Sequence, residues 1–235
     1  QGQAAFATAD YSGASDLALR WQVVAQDLSD YEQMIRCELL LGMIFGAQSD
    51  WDQAISFYES ARRRIHQHCP DQHALLAETL AALGTIHQER RELAKALPMF
   101  IKALQYFEKC GGQRGLASVA NSLADVARHK GRTDRALEWY ARSKRVYESI
   151  GAWETNIVRL NLALMMMFED RYDEAHDEVM ACFEAFENGG HEIWLAVSYA
   201  FTLPGLAYQE AWGAFDESLD EAQARLERLS FADTD

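Results

Sequence analysis

The chain has 235 residues, 49% of them apolar and 25% charged, an ordinary balance that can support a continuous core. Its formal net charge of −14 repels the phosphate backbone of a nucleic acid and an anionic membrane surface, so neither is expected as a partner. Three prolines in the whole length, with Ala, Leu, Glu and Arg recurring throughout, leave helix as the expected secondary structure.

The four cysteines, Cys37, Cys69, Cys110 and Cys182, are widely spaced and form no C-x-x-C pair, which fits free thiols in a reducing cytoplasm rather than a disulfide framework or a zinc site. The start at Gln1, Gly2 and Gln3 carries neither a basic end nor an apolar signal core. The longest uncharged stretch, residues 193–209, is interrupted by Pro204 and Gly205. It is shorter than the roughly 20 residues that span a bilayer, and reads as a buried helix or an exposed docking patch.

In chain order the first signal is Ala14 behind Tyr11, forty residues before Ala54. It implies a leading unit over residues 1–28 with only the second helix of a hairpin, over residues 12–28. An array that begins in mid-hairpin leads us to expect a piece of a longer protein.

Four stronger units follow, over residues 29–69, 70–110, 111–150 and 151–189. Each holds a small residue preceded by Leu (Leu41 with Gly42, Leu83 with Gly84, Leu123 with Ala124, Leu162 with Ala163). Twelve residues later each has an alanine, followed after four more by a larger residue: Ala54 and Tyr58, Ala96 and Phe100, Ala136 and Tyr140, Ala175 and Val179. Small residues at both positions let two helices approach closely, while the rings and leucines fill the space beside the crossing. Polar turns at residues 48–50, 89–92, 130–134 and 169–171 are short enough to make the paired helices antiparallel. Gly or Pro links the hairpins at Pro70, Gly111 and Gly112, Gly151, and Gly189 and Gly190. A divergent fifth unit over residues 190–235 closes the array, with Pro204 expected to kink or shorten its first helix. Residues 230–235 form a short acidic tail.

The pattern resembles the tetratricopeptide repeat family, whose signature is a Leu-Gly pair, an aromatic residue, then Ala-x-x-x-Phe. The strongest copies are Leu41 and Gly42 with Phe45, then Ala54, Tyr58 and Ala61; and Leu83 and Gly84, then Ala96, Phe100 and Ala103. The resemblance covers about residues 9–230. The period is about 40 where the family usually has about 34, and the early Trp and terminal Pro are absent. The chain is similar in this to the longer-helix branch of kinesin light chains, spindle-orientation adaptors and bacterial signalling proteins. HEAT-type repeats share the period without the paired motifs. The implied fold is an all-α, right-handed α-solenoid of stacked antiparallel helical hairpins.

In the family, residues three before and one after the crossing line the concave groove. Here these are Leu39 and Met43, Ala81 and Thr85, Asn121 and Asp125, and Leu160 and Leu164; Gln88, Arg128 and Met167 lie one turn further, with Asn161 beside them. The resemblance implies a groove with an apolar end, a small-residue centre and a polar patch of Asn121, Asp125 and Arg128, where Asn pairs with the backbone of an extended peptide of any sequence. Arg128 alone does not reproduce the two-carboxylate clamp of chaperone-type relatives. Met165, Met166 and Met167 point in three directions, so the trio is expected mainly in the core, with Met167 the exception.

Candidate chemistry is sparse. His66, His68, Cys69 and His73 lack a defined zinc spacing, and Glu169 with Asp170 and Asp173 with Glu174 sit where carboxylates meet a helix dipole. No phosphate-loop spacing and no nucleophile elbow occur. The sequence therefore predicts no enzyme, metal or cofactor, and a protein-interaction module that takes a peptide or partner helix as the sensor or adaptor part of a larger bacterial-type signalling or regulatory protein. The alternatives are a homodimer through residues 193–209 and a cis-regulatory domain of a parent enzyme.

Overall fold

A computed structural model describes residues 11–232. Ala9 and Asp10 of the leading unit, and Asp233, Thr234 and Asp235 of the acidic tail, lie outside the described residues. Eleven α-helices and no strand occur among the described residues: α1 (Tyr11–Asp27), α2 (Tyr31–Ala47), α3 (Trp51–His68), α4 (His73–Glu89), α5 (Leu93–Cys110), α6 (Gln113–His129), α7 (Thr133–Ser149), α8 (Thr155–Met167), α9 (Tyr172–Asn188), α10 (Glu192–Tyr208) and α11 (Trp212–Ala232). The chain divides into two compact units, Gln1–Val126 and Ala127–Asp235, with the division inside α6.

One turn closes nearly every helix. Ser29, Ser49, Arg91, Gly111, Gly131, Gly151, Asp170, Gly190 and Glu210 all have φ between 55° and 72°, at intervals of about 20 residues except one. At each the next N–H reaches back to a carbonyl five residues earlier: Asp50 to Phe45 at 2.9 Å, Glu92 to His87 at 2.8 Å, Arg171 to Met166 at 3.0 Å. This is the Schellman closure, which satisfies the orphan carbonyls of a helix end. The exception is the link after α3, where the matching residue is Pro70. Its ring fixes φ near −65°, so the left-handed turn is unavailable and the chain crosses in an open link from Cys69 to Gln72. Asp30 and Asp50 accept the backbone N–H of Gln33 and Gln53 at 3.1 and 3.2 Å, fixing the starts of α2 and α3.

In the first unit α2 pairs with α3 and α4 with α5, and the first helices α2 and α4 also touch each other. The crossing of each pair is a glycine facing a ring. A Cβ on Gly42 would lie 2.5 Å from the Tyr58 ring, and one on Gly84 2.7 Å from the Phe100 ring. Tyr58 and Phe100 are buried, as are Ala54 and Ala96 beside them. α1 packs on α2 through Ala14 and Ala18, completing a cluster with Leu40, Leu41 and Ile44. In the second unit α8 pairs with α9 and α10 with α11, and α8 also touches α10. Its core holds Ala163, Ala175, Val179, Cys182, Phe186 and Leu195.

Pro204 does not shorten its helix: α10 has 17 residues, as α2, α4 and α6 do. Pro204 and Ala200 are both exposed, so the carbonyl that the missing N–H would have met faces water. Pro98 sits likewise in α5, with exposed Ala94 four residues before it. Within residues 193–209, Leu195, Ala196, Ser198, Thr202 and Gly205 are buried, while Ile193 and Tyr208 are exposed. No helix among the described residues is long and apolar enough to cross a membrane.

Three outcomes follow from these contacts. Gly42→Ala overpacks the crossing and should destabilise by about 1–3 kcal/mol, read as a lower urea midpoint. Arg91→Gly should raise that midpoint, by about 0.5–1 kcal/mol, since glycine takes the left-handed turn without steric cost. Burial pushes the Cys37 and Cys182 thiols up to about 12, so at pH 8 a thiol reagent should label exposed Cys110 in the native protein and reach those two only on unfolding.

Candidate interaction surface

The surface follows from how the first helices of the hairpins meet. Where α2 touches α4, one row of positions is half-buried and the next row stays open to water. Leu39 belongs to the half-buried row: it packs on the cluster of Ala54, Tyr58, Leu83 and Ile86. Ala81, at the same place in α4, is half-buried. Met43 and Thr85 belong to the open row; Met43 is 48% exposed, and the Thr85 hydroxyl donates to the Ala81 carbonyl at 3.1 Å. One turn on, Gln88 is half-buried and its Oε1 is enclosed without a hydrogen-bond partner. In α6, Asn121 and Asp125 hold the matching places of the two rows and both are half-buried.

The second unit alters one expectation. Leu160 is 2% exposed and belongs to the core with Ala163, Val179 and Leu195, so it does not line a groove. It lies where α8 and α10 touch, and its apolar side chain is drawn out of water against Leu195. Asn161 and Leu164 remain half-buried, and Met167 lies half-buried against the same core. Met165 is buried and Met166 packs on that core. Arg128 is half-buried, and its Nε donates to the buried Tyr140 hydroxyl at 3.4 Å. A guanidinium held there supports the α7 core as well as facing the surface.

Charge inside the hairpins was not anticipated. Glu38, 1% exposed, receives Ser60 Oγ at 2.8 Å and Arg64 at 2.8 Å, joining α2 to α3; hydrogen bonding to Glu38 holds the Arg64 guanidinium above its ordinary pKa. The equivalent place in α8 is Arg159, which pairs with Glu178 of α9 at 2.7 Å and with Glu148 of α7 at 2.8 Å, while Lys144 also pairs with Glu178. The sequence signal was Glu38 directly before the uncharged run from Leu39 to Phe45, with three consecutive arginines, Arg62 to Arg64, in the second helix of the same hairpin. At the α4–α5 turn, hydrogen bonds from His87 and Lys95 hold the Glu92 carboxyl below the usual carboxylate range. That stabilisation is present above the ordinary carboxylate pKa and is lost as pH falls through the lowered value.

Of His66, His68, Cys69 and His73, two histidines pack against aromatic rings. His68 stacks on Tyr31 with centroids 3.7 Å apart, and His73 packs against Tyr106 at 5.4 Å. No group of three or more His, Cys, Asp or Glu among the described residues could hold a metal ion.

Comparison with known proteins agrees with this geometry. No curated protein sequence matches the chain. Among solved structures, BtubC (BKLC) from P. vanneervenii superposes with a TM-score of 0.78 at 16% identity, covering 94% of this chain and 90% of that one. A Rap protein complexed with competence and sporulation factor gives 0.76 at 12% identity over 96% of this chain and 62% of its own. The STAND protein PH0952 from Pyrococcus horikoshii, which has a tetratricopeptide repeat sensor, gives 0.75 at 14% identity over 91% of this chain but only 32% of its own. These likenesses establish an α-solenoid of stacked antiparallel helical hairpins. The sequence profile of the tetratricopeptide repeat matches residues 32–109 and again 75–149, and the chain belongs to the tetratricopeptide repeat family.

Proposed function

We propose that this chain is a protein-interaction module that takes a peptide or a partner's helix on the open row of its first helices. We read it as the sensor or adaptor part of a larger, cytoplasmic, bacterial-type signalling or regulatory protein, without catalysis of its own. The observation that carries this reading is the open row itself. Met43 and Thr85 face water beside a tightly packed crossing, with Asp125 at the matching place in α6. Met adapts to varied apolar partners, and the hydroxyl and carboxylate supply acceptors for backbone N–H groups. The Rap protein and the repeat sensor of the STAND protein support it, since the first is held in complex with a factor and the second is described as a sensor. Asn121 would extend the contact within the first unit, and Arg128, Asn161, Leu164 and Met167 would offer a surface of the same kind within the second.

A second reading, homodimerisation through the C-terminal hairpin, draws on the exposed Ile193 and Tyr208 of α10 and Trp212 of α11.

The test is capture of partners from the source lysate with the wild-type chain and with a Met43→Glu, Thr85→Tyr double variant. Both substitutions are on exposed positions and should leave helicity and the unfolding midpoint unchanged. A partner whose affinity falls at least about tenfold in the variant supports the reading. Undiminished capture by the variant overturns it, and recovery of the chain alone favours the homodimer.

A further inference from the structure

The acidity of the chain is unevenly distributed. α9 carries six carboxylates and no Lys or Arg, whereas α3 has three arginines against two carboxylates and α5 three lysines against one. In a protein of net charge −14, α3 and α5 form a basic island. Both are second helices of their hairpins, so this island is separate from the open row of Met43 and Thr85.

Between α3 and α5 a cleft of about 230 Å³ opens over α4. Its floor is apolar, made by the buried Leu76 and Leu80. Arg62 and His66 of α3 stand on one side, and Lys102, Tyr106 and Lys109 of α5 on the other. Arg62 already shares its charge with Glu59 at 2.7 Å. Among the described residues, Lys102 and Lys109 have no carboxylate within ion-pair distance. Lys109 lies over the Tyr106 ring, 5.4 Å from its centroid. The two lysines are seven residues apart, on one face of α5 and about 10.5 Å apart along its axis, within reach of one ligand through their flexible stems.

Two unneutralised ammonium groups call for a dianion, and the guanidinium adds a planar fork suited to phosphate oxygens. The leucine floor and the tyrosine ring cannot contact a bare inorganic ion favourably, but they can take the group that carries one. We propose that this cleft binds a phosphoryl group borne on an apolar or aromatic body. Lys102 and Lys109 neutralise the charge, Arg62 orients the oxygens, and Leu76, Leu80 and Tyr106 hold the body. A carboxylate carries half the charge and leaves one lysine unpaired.

The probe is phenyl phosphate, titrated calorimetrically into the whole chain at low salt, with inorganic phosphate and benzoate as parallel arms. The expected result is saturable one-site binding of phenyl phosphate, tighter than either comparator. A Lys102→Glu, Lys109→Glu double variant, whose positions are exposed, should keep its unfolding midpoint and bind at least about tenfold more weakly. Lys130→Glu, on the turn after α6, should bind as the wild type does. Failure to saturate, equal affinity for inorganic phosphate or benzoate, or an equal loss in Lys130→Glu would overturn the proposal. A dimer that phenyl phosphate does not dissolve, but that the double variant abolishes, would also overturn it and give the cleft to the acidic surface of a second copy.

Discussion

The hairpins α2–α3 and α4–α5 are held by a close approach that only the smallest residue permits. At Gly42 and Gly84 the backbone of a first helix lies directly against an aromatic ring from the second helix of the same hairpin, at a distance a single methyl group would violate. The ring gains a full shell of contacts, and the helix that lacks a side chain there gains the ring. Because this contact fixes the pair at its middle, both helices must extend similarly in each direction. The hairpins α2–α3 and α4–α5 meet that demand with helices of 17 or 18 residues, each pair joined by a left-handed turn, at Ser49 and at Arg91.

That regularity sets what the surface can be. In the first unit α2 and α4, and in the second α8 and α10, each give one face to their own hairpin partner and another to each other, so only a narrow row stays open. The row is composed differently in each repeat, with Met43, Thr85 and Asp125 in turn, because nothing in the packing dictates those positions. Charge is treated with the same economy. Glu38 and Arg159 occupy one structural place with opposite signs, and each is matched across the hairpin by a partner of the other sign. An unmatched charge at that depth would be strongly destabilising, so the pairs secure which helices face each other more than they add to stability.

The outer helices follow another rule. Solvent accepts either sign there, so selection for ligands or partners can act freely on α3, α5 and α9 without disturbing the crossings. The basic island on α3 and α5 within an acidic protein, and the carboxylate-rich α9, are consistent with surfaces tuned separately from the core.

The sequence by itself determined the helical class, the hairpin pairing and the family, because spacing between small and large residues is a local property that helical geometry converts directly into a crossing. Tertiary structure decided the rest. Leu160 looks like a groove position from its register, yet the contact between α8 and α10 encloses it, and a linear pattern does not reveal how far a neighbour reaches. Arg128 looks like a ligand-reading cation, yet the buried hydroxyl of Tyr140 lies beneath it. Pro204 looks like a helix breaker, yet its orphaned carbonyl falls on the wet side of α10. The cleft under Lys102 and Lys109 is formed by three helices, so it had no signature in any one of them. Periodicity carries the contacts inside a hairpin; burial, charge partners and clefts depend on what comes from elsewhere in the chain.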